Sequence, residues 1–415
     1  MSKELDSLLW WIPFKKVREK IRHIYYDNQN QINFLKKKIE DLEKNNIALL
    51  NKISNLSKSN TEKNVLFDKR VKYLESHDKI FTQDKSFKDK FFRYTLYNSN
   101  IPHKQKRWFI EYQVSKWLGY FINLDNPKTF NEKINWTKLY YRNPDMTIVA
   151  DKYQFKNYIK EKLGDGYTIP LLGVWDNVND IDFDSLPNQF VLKSNTGANS
   201  EEMIIVKDKS KLNIYEAKMK MNEWLQPWNN IAYKVTYHWD SVDIPQKIIA
   251  EEYIEEIEKE ETDYSFFCSF GKILYIFVYN DKIYHINNRC IFLDENWNKL
   301  NIIRPGYEDI LYLDKPIRLE EMKLIAKNIS KDFPIVRVDF YNLKDKLLLG
   351  ELTFYPAGGH SKFEPKEWDY KFGEMVDLDK IPREHLSKEW IDILETRPDQ
   401  TRPDQTRPDQ TRPNM

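Results

Sequence analysis

A mixed α+β fold is the class this sequence predicts, on two observations. Between about residue 121 and 380, helix-periodic stretches alternate with β-rich runs, and hydrophobic residues make up 41% of the 415-residue chain, enough for a sizeable core. The helical stretches are 131–141, 149–163, 210–225 and 319–331. The β-rich runs are Gln189–Lys193, Met203–Val206, Ile248–Tyr253, Ser265–Phe270, Ile273–Tyr279, Ile335–Phe340 and Leu347–Phe354. Lys+Arg (65) and Asp+Glu (64) nearly cancel, so no basic field argues for nucleic acid. Two cysteines, Cys268 and Cys290, make neither a disulfide framework nor a metal-ligand spacing, and a reducing, cytoplasmic compartment is the expectation.

In chain order, residues 1–27 join an aromatic patch (Trp10, Trp11, Phe14) to Lys15, Lys16, Arg18, Lys20 and Arg22. The segment lacks the charge order of a signal peptide, and no stretch of about 18 apolar residues spans a bilayer. Rings beside cations suit the inner face of a membrane; the plainer reading is a segment docked on the protein's own body. Residues 28–63 carry heptads, with Ile32, Ile39, Asn46 and Ile53 at a and Leu35, Leu42, Leu49 and Leu56 at d. β-branched residues at a, Leu at d and one buried Asn predict a parallel two-stranded coiled coil, hence a homodimer; a single amphipathic helix on the body is the alternative. Residues 64–120 read as a helical connector, and 121–395 as the catalytic domain. From 396 to 415, Thr-Arg-Pro-Asp-Gln repeats without a single apolar side chain until Met415, a composition that builds no core.

Four clusters carry chemistry. Ala150-Asp151-Lys152-Tyr153 opens a helix, where a lysine is ordinarily a solvated charge. Phe190–Ser200 is a strand ending in Lys193 and a small polar loop (Ser194, Thr196, Gly197) before a second strand. Such a hairpin tip can wrap phosphates with backbone N–H groups while lysine supplies a point charge, although most such loops are only turns. Ile248–Ile254 is an apolar strand turning acidic at Glu251 and Glu252, whose edge can read an adenine; a solvated acidic loop is the bland account. The sharpest is Val336-Arg337-Val338-Asp339-Phe340, a turn, then Leu347–Phe354 with Glu351 and Thr353. Folded as a hairpin, it sets Asp339 beside Glu351. Two such carboxylates are costly unless a cation holds them, and hard oxygens with phosphate are how Mg²⁺ is normally bound. A paired surface Arg–Asp strand is the competing explanation.

In this order, with PKTFNEKINWTKLYYRNPDMTIVADKY, IPLLGVWDNVNDIDFDSLPNQFVLKSNTG, IIAEEY and RVDFYNLKDKLLLGELTFYPAGG, the chain resembles the TupA-like family of the ATP-grasp superfamily over roughly residues 95–380. That family is associated with teichuronopeptide and capsule-type polysaccharide synthesis. The resemblance implies an ATP-grasp fold, two α+β subdomains clasping ATP, with ATP and Mg²⁺ as cofactors. Lys152 and Lys193 would contact phosphates under the 194–200 loop, Glu251, Glu252, Tyr253 and Ile254 would form the adenine hinge, and Asp263 would hold the ribose, with Glu258 as second choice. Asp339 and Glu351 would hold Mg²⁺, with Thr353 where relatives have Asn, and Arg337 would stabilise the reacting acyl group. The sequence departs from the family pattern at Ser265 (for Lys), Asp281-Lys282 (for Asp-Arg) and Ser194-Asn195-Thr196. The implied activity is a carboxylate–amine ligase joining an amino acid or amine to a glycan or glycan-precursor carboxylate. The alternative is a glycosyltransferase of capsule or lipopolysaccharide synthesis, for which no Asp-x-Asp ends a buried strand.

Overall fold

The computed structural model describes residues 103–197, 202–226, 237–259, 262–280 and 289–396. All lie in the compact unit Asp89–Met415. The aromatic–cationic segment, the heptads and the C-terminal repeats lie outside the described residues.

In chain order the elements are α1 (His103–Leu118), α2 (Phe130–Tyr140), α3 (Asp145–Ala150), α4 (Lys152–Leu163), β1 (Leu171–Trp175), β2 (Phe190–Ser194), β3 (Met203–Val206), α5 (Ile214–Trp224), α6 (Trp239–Val242), β4 (Ile248–Glu252), α7 (Glu255–Lys259), β5 (Thr262–Ser269), β6 (Lys272–Asn280), β7 (Arg289–Leu293), β8 (Glu308–Asp309), α8 (Leu319–Ile329), β9 (Val336–Asn342), β10 (Leu347–Thr353), α9 (Glu367–Glu374) and α10 (Lys388–Thr396). The expected helix over 149–163 is in fact two. Asp151 leaves helical geometry and its side chain caps α4 by accepting from the Tyr153 amide, which breaks the run at that residue.

Two sheets result. The smaller is antiparallel, in the order β1-β4-β2-β3, and the larger runs β10-β9-β5-β6-β7-β8, antiparallel except for the short β7–β8 pair. Each has its own core. In the small one, Phe190, Leu192, Val206, Ile248 and Ala250 pack with Ala217, Met221 and Trp224 of α5. Under the large sheet, α8 buries Leu319, Met322, Ile325, Ala326 and Ile329, one stripe at helical spacing. Each buried Leu, Ile or Met side chain of that stripe stabilises the fold by about 1.5–3 kcal/mol.

Helix α2 is buried on nearly every side, polar residues included. Thr129 and Glu132 form a reciprocal cap, and Asn131 donates to Asp369 and to the Ser361 carbonyl. Asn135 Nδ2 donates to Gly359 O at 2.7 Å, and Lys138 Nζ to Gly358 O at 2.7 Å. The polar residues of this helix therefore fasten the loop that follows β10, which is why an interior helix carries them.

Candidate active site

A crevice opens between the two sheets, lined by Lys152, Phe155 and Lys156 of α4, Ile169, Lys193 of β2, Glu251 of β4, and Tyr341, Leu349 and Gly350 of the large sheet. The pairings that build it are local. β2 lies beside β4 with Val191 opposite Glu251, and β4 lies beside β1 with Leu171 opposite Glu251. The Lys152 amide donates to Asn195 O at 2.9 Å, tying the start of α4 to the end of β2.

On the small-sheet wall, buried Glu251 receives Lys156 at 2.6 Å and Lys193 at 2.5 Å. Burial alone would raise its pKa, but the two ammonium groups outweigh that and hold the carboxyl below its ordinary range. Lys152 Nζ donates to the Gly197 carbonyl at 2.5 Å. Burial lowers the pKa of Lys152, with Glu351 opposing, so this lysine lies within electrostatic reach of the other wall. Ser194 and Thr196 turn inward to Gln246, Thr196 Oγ1 lying 2.9 Å and Ser194 Oγ 3.4 Å from its Oε1. Asn195 staples the loop: it donates to Asp151 and to Pro245 O, and accepts from the Lys247 amide. Residues 198–201 lie outside the described residues.

Beyond β4, the Glu252 amide is taken by Pro170 O, and Ile254 O accepts from Ile257 N. Tyr253 donates to Glu258 at 2.5 Å, and Lys207 reaches the same carboxylate at 2.6 Å. Asp263 is placed in β5, opposite Tyr279 and two residues before Ser265, within electrostatic reach of Arg337 and Tyr341. It therefore neighbours the acidic hairpin, while Glu258 neighbours Tyr253.

The hairpin of β9 and β10 forms the other wall. Leu349 pairs with Phe340, yet Glu351, not Gly350, pairs with Asp339, and Thr353 pairs with Arg337. The register shift is a bulge at Gly350. Without it Glu351 would face Val338 and point to the other side of the sheet. A Cβ at position 350 would lie 3.1–3.3 Å from the Tyr341 ring, so glycine lets that ring close over the bulge. Arg337 grips both acids: Nε lies 2.9 Å from each oxygen of Asp339, and Nη2 is 2.6 Å from Asp339 Oδ2 and 2.6 Å from Glu351 Oε1. Ser265 Oγ donates to Asp339 at 2.6 Å and Thr353 Oγ1 to Glu351 at 3.2 Å. Burial, with Glu351 adding repulsion against the pull of Arg337, pushes Asp339 up to about 6. Glu351 is held below the ordinary range because Arg337 and Lys152 outweigh the cost of burial.

These residues fit a nucleotide with Mg²⁺. A carboxylate pushed up by burial and by a neighbouring acid gains from a cation, and two carboxylates leave most of an octahedral shell for phosphate oxygens and water. Three lysines with one carboxylate between them keep positive charge to spare for those phosphates. Sequence reasoning missed Lys156, Tyr341 and the bulge. Lys156 sits four residues after Lys152, one helical turn along, and that spacing was the available signal.

A profile of the TupA-like ATP-grasp family matches residues 132–377. The chain belongs to that family. No curated protein matches its sequence. Among solved structures, it is similar to D-alanine–D-alanine ligase from Helicobacter pylori (15% identity, TM-score 0.32, covering 57% of this chain and 60% of that one). It is also similar to D-alanine–D-alanine ligase from Bacillus anthracis (18% identity, TM-score 0.33, 55% and 66%) and to D-alanyl-alanine synthetase A from Vibrio cholerae O1 biovar eltor (11% identity, TM-score 0.31, 55% and 65%). The similar region takes in less than two thirds of each of these three chains. As an ATP-grasp protein, the chain has a fold that uses ATP with Mg²⁺.

Proposed function

We propose that this TupA-like ATP-grasp protein is an ATP- and Mg²⁺-dependent carboxylate–amine ligase. One observation supports it most: Asp339 and Glu351 face each other across β9 and β10, clamped by Arg337, beside a crevice whose opposite wall is lined with lysines. A substrate carboxylate oxygen attacks the γ-phosphorus of ATP, ADP leaves, and an acyl-phosphate forms. An amine then attacks the acyl carbon, inorganic phosphate departs, and the amine's proton passes to phosphate or solvent. Lys152, Lys156 and Lys193 neutralise charge spread over the phosphate oxygens, and Arg337 does the same at the acyl-phosphate. Bound at Asp339 and Glu351, with Thr353 beside them, Mg²⁺ would supply charge neutralisation between the phosphates. β4 is an interior strand with Glu251 and Glu252 already paired, so it is the chain just past it, Tyr253–Ile254, that would meet the adenine edge, with Asp263 or Glu258 at the ribose.

The finer reading places the reaction in cell-surface polysaccharide synthesis, joining an amino acid or amine to a glycan carboxylate at the inner face of the membrane. The quoted family motifs support the glycan, and the heptads at 32–56 support a homodimer. Among the described residues no helix is long and apolar enough to cross a membrane.

Incubation with ATP, Mg²⁺, pooled amino acids and uronic acids tests the proposal. ADP and phosphate release that needs both co-substrates supports it; UDP or CMP release from a sugar nucleotide would replace it with glycosyl transfer. Removal of residues 1–63 should leave a monomeric, active protein, and a truncated form that still dimerises refutes the zipper.

A further inference from the structure

Residues paired across neighbouring strands share a face of the sheet, so Glu351, Asp339, Ser265, Phe277 and Phe292 form one row across β10, β9, β5, β6 and β7. Between β7 and β8 the chain turns back on β7, Leu300 N donating to Phe292 O at 2.8 Å, and Ile303 then exchanges backbone hydrogen bonds with Glu364 at 2.7 and 3.0 Å. A tight turn follows, Arg304-Pro305-Gly306-Tyr307, closed by Tyr307 N donating to Arg304 O at 3.1 Å. Proline at its second position and Gly306, with φ at +88°, at its third are what a type II turn requires.

The turn brings its first and last side chains together. The Arg304 guanidinium carbon lies 4.4 Å from the Tyr307 ring centroid and 5.1 Å from that of Phe277. Its charge also reaches Tyr275 and Cys290, each two positions from a member of the row. Half-buried Arg304 thus stands on the face that carries Asp339, two strands away, on the order of 10 Å at the usual strand spacing.

What this arginine lacks is a counter-ion. Two acids follow it on β8, but Glu308 is paired with Arg289 at 3.7 Å and Asp309 with Lys299 at 2.5 Å. Among the described residues Arg304 has no hydrogen-bond or ion-pair partner. The rings attract its charge but accept little from its five N–H hydrogens, which leaves a planar fork for carboxylate or phosphate oxygens. An arginine that only capped the rings would gain by turning that fork to Glu308 or Asp309; here both acids are engaged by other cations. Nor is it part of the crevice. The large-sheet residues that line the crevice, Tyr341, Leu349 and Gly350, belong to β9 and β10, whereas Arg304 lies on the other side of the acid pair, beyond β5.

We propose that Arg304, backed by Phe277 and Tyr307, binds an anionic group of a co-substrate, carboxylate or phosphate, other than the carboxyl that reacts. The inference rests on the ligase reading and deepens it: one co-substrate carries a further negative charge.

Calorimetric titration of the full-length protein, with Mg²⁺ and a non-hydrolysable ATP analogue, tests it. Each anionic probe is paired with a match that lacks one negative group. The pairs are digalacturonic acid with the methyl glycoside of galacturonic acid, glucuronic acid 1-phosphate with the methyl glycoside of glucuronic acid, and L-glutamate with L-glutamine. At least one probe should bind about tenfold or more tightly than its match, the gain from one charge-assisted hydrogen-bonded pair. A carboxylate ligand shows this preference in the first or third pair, a phosphate ligand in the second. Arg304→Gln should abolish the preference while leaving binding of the match and of the ATP analogue as in wild type. Arg304→Lys keeps the charge without the fork and should retain only part of the preference. Binding of the analogue with no preference in any pair overturns the inference and leaves the ligase intact, as does a preference that survives Arg304→Gln. A preference lost only together with analogue binding and a lowered melting temperature, in both variants, assigns Arg304 to the fold and also overturns it. Failure of the wild type to bind the ATP analogue at all removes the ligase reading itself and this inference with it.

Discussion

On one side of the crevice two ammonium groups, Lys156 and Lys193, lean on the single carboxylate of Glu251; on the other, two carboxylates, Asp339 and Glu351, share the single guanidinium of Arg337. With Lys152 included, the first wall is positive by two charges, and the second negative by one. Each wall is stable because one central group holds its excess, and each has charge left over of the sign that a polyphosphate–metal pair would meet. The contrast separates two demands on buried charge. Glu251 serves chiefly to make two lysines tolerable in the interior, whereas Asp339 stays uncomfortable until a further cation arrives.

The largest effect should come from Asp339→Asn. ADP release should fall about a thousandfold, the loss expected when an electrostatic contact to the reacting phosphates disappears. The fold should survive, because Arg337 still has Glu351; a coupled ADP assay and a melting curve read both. Full turnover in this variant would remove the metal role from the hairpin. Next in size is Glu251→Ala, which strands two lysines and should cost about 3–5 kcal/mol in a denaturant titration. A loss below 1 kcal/mol would show that the lysines find water instead.

Gly350→Val should cost about 1–3 kcal/mol by driving a side chain into the Tyr341 ring, and should lower turnover as Glu351 shifts. An active variant of wild-type stability would mean that the bulge is not what aligns the acids. The smallest effect is a difference in pH dependence between the walls. Asp339, raised to about 6 when folded, stabilises most below pH 4, and that contribution is lost as pH rises through 6. Melting temperatures of Asp339→Asn should therefore gain on wild type between pH 4 and 6 and run parallel above. Glu251, depressed when folded, contributes above the ordinary carboxylate range and loses it only on acidification below that range. A gain at alkaline pH, or none, would contradict the assigned direction for Asp339.

Much of this was legible in the sequence because alternation survives folding. Arg337 and Asp339 on one face, and Glu351 and Thr353 on one face, are properties of a strand's two-residue period. The bulge was not legible: one inserted residue leaves each strand's own pattern intact and changes only the pairing between them. β1 was missed because Leu171–Trp175 is short and half-buried, without clean alternation.

The guanidinium between the two acids carries a last consequence. A free divalent ion drifting into the crevice finds its carboxylates already engaged, by an arginine that cannot be deprotonated in this setting. It gains little by evicting that arginine unless something anionic arrives to receive the displaced charge. A triphosphate is such a recipient. The hairpin is thus expected to ignore stray cations and to prefer those delivered together with their nucleotide.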